Sequence, residues 1–215
     1  MTIELHVFPP SPRSFKVMAL ANHLGLAHEI KFVDLRNGGQ KAPYLEALNP
    51  NMKIPVLKHG DFVLWESNAI LQYLASLKPE AQLFPDDPCA RADITRWQFW
   101  DLAHWEPACV VFIYEYMAKP TVLGINQPDL AAIENGMGPF HRVAGILNNQ
   151  LKGKEFVTGN RLTVADFSLG AEMTAAKGAH FPLEPYEEIK RWYATLSSFP
   201  CWQETLAGIR LPAAA

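Results

Sequence analysis

Ile54-Pro55-Val56-Leu57-Lys58-His59-Gly60-Asp61-Phe62-Val63-Leu64-Trp65-Glu66-Ser67-Asn68-Ala69-Ile70 is the stretch that decides the fold. Two short runs, Ile54 to Lys58 and Phe62 to Trp65, flank His59-Gly60-Asp61, a compact turn, and together they predict a hairpin. Ser67 then opens a helix to Leu77 with Ile70, Leu71 and Leu74 as its buried stripe. Upstream, Ile3, Leu5 and Val7 alternate with Thr2, Glu4 and His6, a strand from Ile3 to Phe8 that Pro9-Pro10 ends. Ser11 to Leu24 places Phe15, Met18, Ala19, Ala21, Asn22 and Leu24 near helical spacing, and Gly25 stops it. A strand from His28 to Asp34, a loop through Asn37-Gly38-Gly39 and a short helix from Pro43 to Ala47 lead to Asn49-Pro50. The order β-α-β-α-β-β-α, a parallel pair first and a hairpin last, is that of a small α/β domain over residues 1–78.

Beyond it the chain changes character once. Pro79-Glu80-Ala81-Gln82-Leu83-Phe84-Pro85-Asp86-Asp87-Pro88 has three prolines and an acidic pair and is expected to be a linker, 79–88. The remainder, 89–215, is expected to be all helical: Arg91 to Met117, bent or divided at Pro107, then Asp129 to Leu151, Val164 to Lys177 and Tyr186 to Ser197. A length of 215 residues fits one large domain or two small ones, so this change of character sets the count at two.

Composition excludes several classes. With 49% hydrophobic and 19% charged residues the chain is neither disordered nor fibrous. Nineteen Lys and Arg against 22 Asp and Glu leave a net charge of -3, and no segment is basic enough to follow a phosphate backbone, so nucleic acid is not an expected partner. No apolar stretch approaches the roughly 20 residues of a membrane helix, and the start lacks the pattern of an export signal. Cys89, Cys109 and Cys201 are odd in number, widely spaced and without a CxxC pair, which argues against a metal site and for a reducing cytoplasm.

Three segments carry candidate chemistry. In Ser11-Pro12-Arg13-Ser14-Phe15-Lys16-Val17, Ser11 followed by Pro reads as an N-cap and N1 pair, a purely structural role. The same hydroxyl faces the positive pole of the helix, where it can donate to an anion, and the two roles compete for one side chain. In Asn49 to Leu57, Pro55 either starts the strand or occupies a special turn; a cis bond would turn the Ile54 backbone toward a ligand, although X-Pro bonds are mostly trans. In Trp65 to Ile70, Ser67 is a cap by default, yet the free N–H groups beside it suit a carboxylate and Glu66 suits an ammonium, the two ends of an amino-acid head group.

With these segments in order, and with Gly159-Asn160-Arg161-Leu162-Thr163-Val164-Ala165-Asp166-Phe167 in the helical part, the chain resembles the glutathione S-transferase family over nearly its whole length. The resemblance implies an α/β plus all-α fold class, with a thioredoxin-like, glutathione-binding domain (1–78) followed by an all-helical domain (89–215) that carries an electrophile pocket. Ser11 matches the serine of family members, the phi and zeta classes among them, whose hydroxyl donates to the glutathione sulfur. Ile54 matches the residue whose backbone pairs with the cysteinyl part, Pro55 the cis-proline, and Glu66 with Ser67 the pair that holds the γ-glutamyl end. Gly39-Gln40-Lys41-Ala42-Pro43 departs from the His or Lys pair often found there, leaving Gln40, Lys41 and Lys53 as candidates for the glycyl carboxylate. Solvated surface is the competing reading of both lysines. Pro10, Trp105, Cys109 and Phe112 are the candidates for the electrophile pocket, while His104 is expected to be an ordinary helix residue. Thr163 and Asp166 form a capping box, flanked by Leu162 and Phe167 in the positions of a hydrophobic staple, so that segment is expected to serve folding.

The implied activity is a detoxifying transferase, homodimeric and cytoplasmic, with glutathione as cosubstrate and no metal. A thiol of pKa about 8.5 is only a few per cent ionised at neutral pH. Lowering that value by about two units takes roughly 2.7 kcal/mol of preference for the anion, within reach of one hydrogen bond and a helix N-terminus. Isomerase, dehalogenase and lyase chemistry on the same scaffold remains open, as does a non-catalytic glutathione-binding or protein-interaction module in which Ser11 is only a cap. A thioredoxin-type mechanism is disfavoured because no cysteine precedes Pro88 and Ser14 stands where some relatives have one.

Overall fold

In the computed structural model, which describes residues 2–209, β1 (Ile3–Val7) lies inside a mixed sheet of order β2-β1-β3-β4. It pairs in parallel with β2 (His28–Phe32), Ile3 opposite His28, and antiparallel with β3 (Val56–His59), Leu5 opposite Leu57. β3 turns at Gly60-Asp61 into β4 (Phe62–Trp65), with His59 opposite Phe62 and Val56 opposite Trp65. The alternation of β1 buries Ile3, Leu5 and Val7. Phe8, Val33, Ile54 and Val56 gather with Leu45 of the short helix α2 (Pro43–Leu48) in one apolar cluster.

The chain divides into two compact units. The first holds residues 2–82 and also 198–209, whereas the helical domain was expected to run from 89 to the end. The reason lies in α1 (Pro12–His23), where every residue from Ser14 to Ala21 is buried. A helix enclosed on all sides needs more than one cover. The helix α3 (Ser67–Ser76) supplies one and a C-terminal helix, Pro200–Ala207, supplies another. The Phe15 and Trp202 rings meet edge-on at 4.9 Å, and Asn22 Nδ2 donates to Thr205 Oγ1 at 2.9 Å.

The second unit, Leu83–Ser197, begins inside the expected linker. Here α4 (Pro88–Trp100) is capped by Asp87, whose side chain accepts from Ala90 N at 2.7 Å. The winding loosens to π-helical over Asp101–Trp105, tightens in α5 (Glu106–Ile113) and loosens again over Tyr114–Leu123. Pro107 lies just past the first π-helical stretch, so the long helix expected here stays continuous through the proline and changes its winding in front of it. The helix α6 (Leu130–Leu151) is capped by Asp129, followed by α7 (Val164–Gly170) and α8 (Glu187–Ser197), so the C-terminal helix of the first unit is α9.

Asp166 closes the expected capping box and does more. It is fully buried and accepts from Thr163 N (2.9 Å), Thr163 Oγ1 (3.2 Å), Val157 N (2.9 Å) and Trp192 Nε1 (3.0 Å), tying α7 to α8 and to the preceding loop. Burial pushes its carboxyl up to about 6 against the pull of those donors.

Candidate functional site

Topology assembles the three candidate segments. Because β1 and β4 both run antiparallel to β3, they are parallel to each other and end at the same edge of the sheet. A helix starts after each: α1 behind Ser11 and α3 at Ser67. Two helix N-termini, each with a positive pole, therefore share one edge. The register continues to that edge: Trp65 opposite Val56 brings Glu66 beside Pro55, and Ile54 joins Phe8 in one cluster.

At this edge the two serines of the first helical turn have separate fates. Ser14 is 0% exposed and its Oγ accepts from Phe8 N at 3.2 Å, fixing the exit of β1. Ser11 stands at the N-cap, half-buried, with extended backbone (φ -75°, ψ 128°) and its carbonyl accepting the first helical bond from Phe15 N at 2.8 Å. Its side chain makes no cap hydrogen bond. The residue thus has the backbone of a cap and a hydroxyl that is not spent on capping.

The Ile54–Pro55 bond is cis, and Ile54 lies ahead of β3, outside its ladder. The loop before it is organised by a residue that sequence reasoning passed over. Asn49, 97% of it buried, donates from Nδ2 to Lys53 O at 2.8 Å and accepts from Asn51 N at 3.0 Å. The signal was present in Asn49-Pro50-Asn51, since an Asn side chain that bonds two residues on makes a turn of its own. Glu66 is exposed and has φ 70° and ψ 109°, a region that residues with a Cβ rarely adopt, so backbone strain is held where the site was expected. Ser67 behind it is buried as the first residue of α3.

The expected glycyl end is looser. Lys41 and Lys53 are exposed, on either side of α2. Gln40 buries its Oε1 without a hydrogen-bond partner among the described residues. It follows Gly39, where a Cβ would lie 2.8 Å from Asp34 O, so only glycine allows this tight turn to form.

In the second unit three of the residues expected to line an electrophile pocket are buried. Trp105 and Cys109 are 0% exposed and Phe112 is 1% exposed. They are core: Trp105 Nε1 donates to Leu169 O at 3.1 Å, and the Trp105 and Phe112 rings pack on Phe140 at 5.6 and 5.4 Å. Burial, with Glu172, Asp101 and Glu106 nearby, drives the Cys109 thiol well above its ordinary value, so it is inert as well as inaccessible. A cavity of about 320 Å³ in this unit opens among His104, Pro107, Val111, Asn135 and Arg142. Of the expected pocket residues, Pro10 alone keeps accessible surface, in the turn before Ser11.

A four-stranded sheet with a cis-proline at one edge, followed by an all-helical unit, defines a two-domain protein of thioredoxin-like plus helical architecture. Residues 1–76 match the family model described as glutathione S-transferase, N-terminal domain, and 104–200 that described as glutathione S-transferase, C-terminal domain. Glutathione S-transferase 3 of Zea mays is 31% identical, over 98% of this chain and 96% of its own. The structure of glutathione S-transferase III in apo form superposes with a TM-score of 0.86 at 29% identity, covering 100% of both chains. A glutathione transferase family member from Pseudomonas fluorescens, solved with two glutathione bound, gives a TM-score of 0.81 at 26% identity over 95% of this chain and 92% of its own. The chain belongs to the glutathione S-transferase family of enzymes.

Proposed function

We propose that the first unit binds glutathione along the edge where α1 and α3 begin, and that Ser11 holds its sulfur as thiolate for attack on a hydrophobic electrophile. The observation that carries the reading is the Ser11 hydroxyl, set at a helix N-terminus and not used as a cap. The Ile54 backbone pairs with the cysteinyl part, Glu66 takes the α-ammonium, and Ser67 with the α3 N-terminus takes the γ-glutamyl carboxylate. Gln40, Lys41 and Lys53 hold the glycyl carboxylate. The sulfur forms the new bond to carbon, the leaving group departs with its electron pair, and the thiol proton has already passed to solvent. Ser11 donates a hydrogen bond throughout and is never itself a nucleophile. In this reading the protein acts as a cytoplasmic homodimer that detoxifies electrophiles.

The test is the pH profile of glutathione conjugation to an aryl halide. The expected kcat/KM rises through one ionisation near pH 6.5, about two units below the free thiol. A rate no faster than the solution reaction at any pH would refute the transferase reading.

A further inference from the structure

Lys16 is 0% exposed in the middle of α1, a placement lysine almost never takes without a purpose or a partner. Its Nζ donates to Asn68 Oδ1 at 2.9 Å, a bond between residues 52 apart in sequence. Asn68 is itself buried and is the second residue of α3, directly after Glu66 and Ser67. Lys16 lies five residues past Ser11, about 7.5 Å along the helix axis. The ammonium thus sits behind both helix N-termini of the candidate site, tying the start of α3 to α1.

We infer that Lys16 is a positioning residue for the transferase reaction: its bond to Asn68 sets the two helix N-termini in register, and its buried charge adds to their positive poles. The inference rests on the proposed glutathione reading. It assigns Lys16 no contact with the substrate. The charge acts on two anions, the thiolate and the γ-glutamyl carboxylate. At about 10 Å and an effective dielectric near 20, one unit charge moves a thiol pKa by about one unit. Because the charge is buried, salt screens it little.

Two variants separate charge from architecture. Lys16→Met keeps the length and apolar stem of the side chain but removes the charge. Asn68→Asp keeps the bridge and sets a carboxylate against the ammonium, neutralising the pair. The readout is the pKa of bound glutathione by thiolate absorbance, alongside the urea unfolding midpoint. Both variants are expected to raise the bound thiol pKa by about one unit, with Asn68→Asp at least as resistant to urea as the parent. If Lys16→Met does not fold, Asn68→Asp carries the test. An unchanged thiol pKa in folded Asn68→Asp, beside a lowered one in the parent, would overturn the inference and leave the glutathione reading standing. A parent protein that binds no glutathione would refute both.

Discussion

Removing the Asp166 carboxylate tests how much of the helical unit hangs on one side chain. In Asp166→Ala the N–H groups of Val157, Thr163 and Trp192 lose their acceptor inside the core. At about 1–3 kcal/mol for each buried donor left unpaired, the loss is roughly 3–9 kcal/mol, comparable with the whole stability of an ordinary domain. Asp166→Asn is milder. Its remaining oxygen can serve Val157 and Trp192, while its amide faces the Thr163 N–H, and the expected cost is about 2–4 kcal/mol. The two variants also differ from the parent in pH dependence. The folded pKa of about 6 exceeds the unfolded value of 3.8, so the stability linked to this group is fully present below pH about 4 and is lost as pH rises through 6. The shift corresponds to about 3 kcal/mol. Urea unfolding by tryptophan fluorescence, parent against Asp166→Asn at several pH values between 4 and 7, isolates it from other carboxylates. The parent's advantage is expected to shrink by about 2 kcal/mol across that range, the rest of the linkage being lost below pH 4. An advantage that stays constant or grows with pH would refute the claim that burial dominates over the four donors.

Ser14→Ala removes the acceptor of Phe8 N and is expected to lower the unfolding free energy by about 1–2 kcal/mol while leaving the bound thiol pKa unchanged, both read on the same preparation. Glu66→Gly relieves a positive φ and should raise stability by about 1 kcal/mol in chemical denaturation, yet weaken glutathione binding at least tenfold by calorimetry. Toward a thiol reagent at pH 8, native protein is expected to react at Cys89 only, because Cys109 and Cys201 are buried, with Cys201 pushed up to about 11; urea should release all three, and rapid labelling of Cys109 in native protein would contradict its placement in the core.

Much of the first unit was legible because its signals are local. The alternation of β1, the Gly60-Asp61 turn and the apolar stripe of α3 each speak within a few residues, and β4 falls at Phe62–Trp65 as read. Residues whose role depends on long-range packing were not legible. Lys16 sits in a helical pattern where a lysine is ordinarily read as surface, and only the closing of α3 and α9 around α1 buries it. The same enclosure explains why α9 returns to the first unit. Trp105, Cys109 and Phe112 lie at helical spacing, and such a stripe is equally the pattern of a pocket wall and of a core; the aromatic packing around Phe140 chose the core. Ser11 was ambiguous for a chemical reason, since one hydroxyl at a helix start suits capping and anion binding alike. Only the folded geometry shows that its side chain makes no cap bond.

The most direct test of the central claim is an ultraviolet difference titration of bound glutathione, parent against Ser11→Ala. Both proteins are expected to bind glutathione, the parent lowering its thiol pKa by about two units and Ser11→Ala returning it most of the way to about 8.5. A parent and a variant that bind glutathione with the same thiol pKa would contradict that claim.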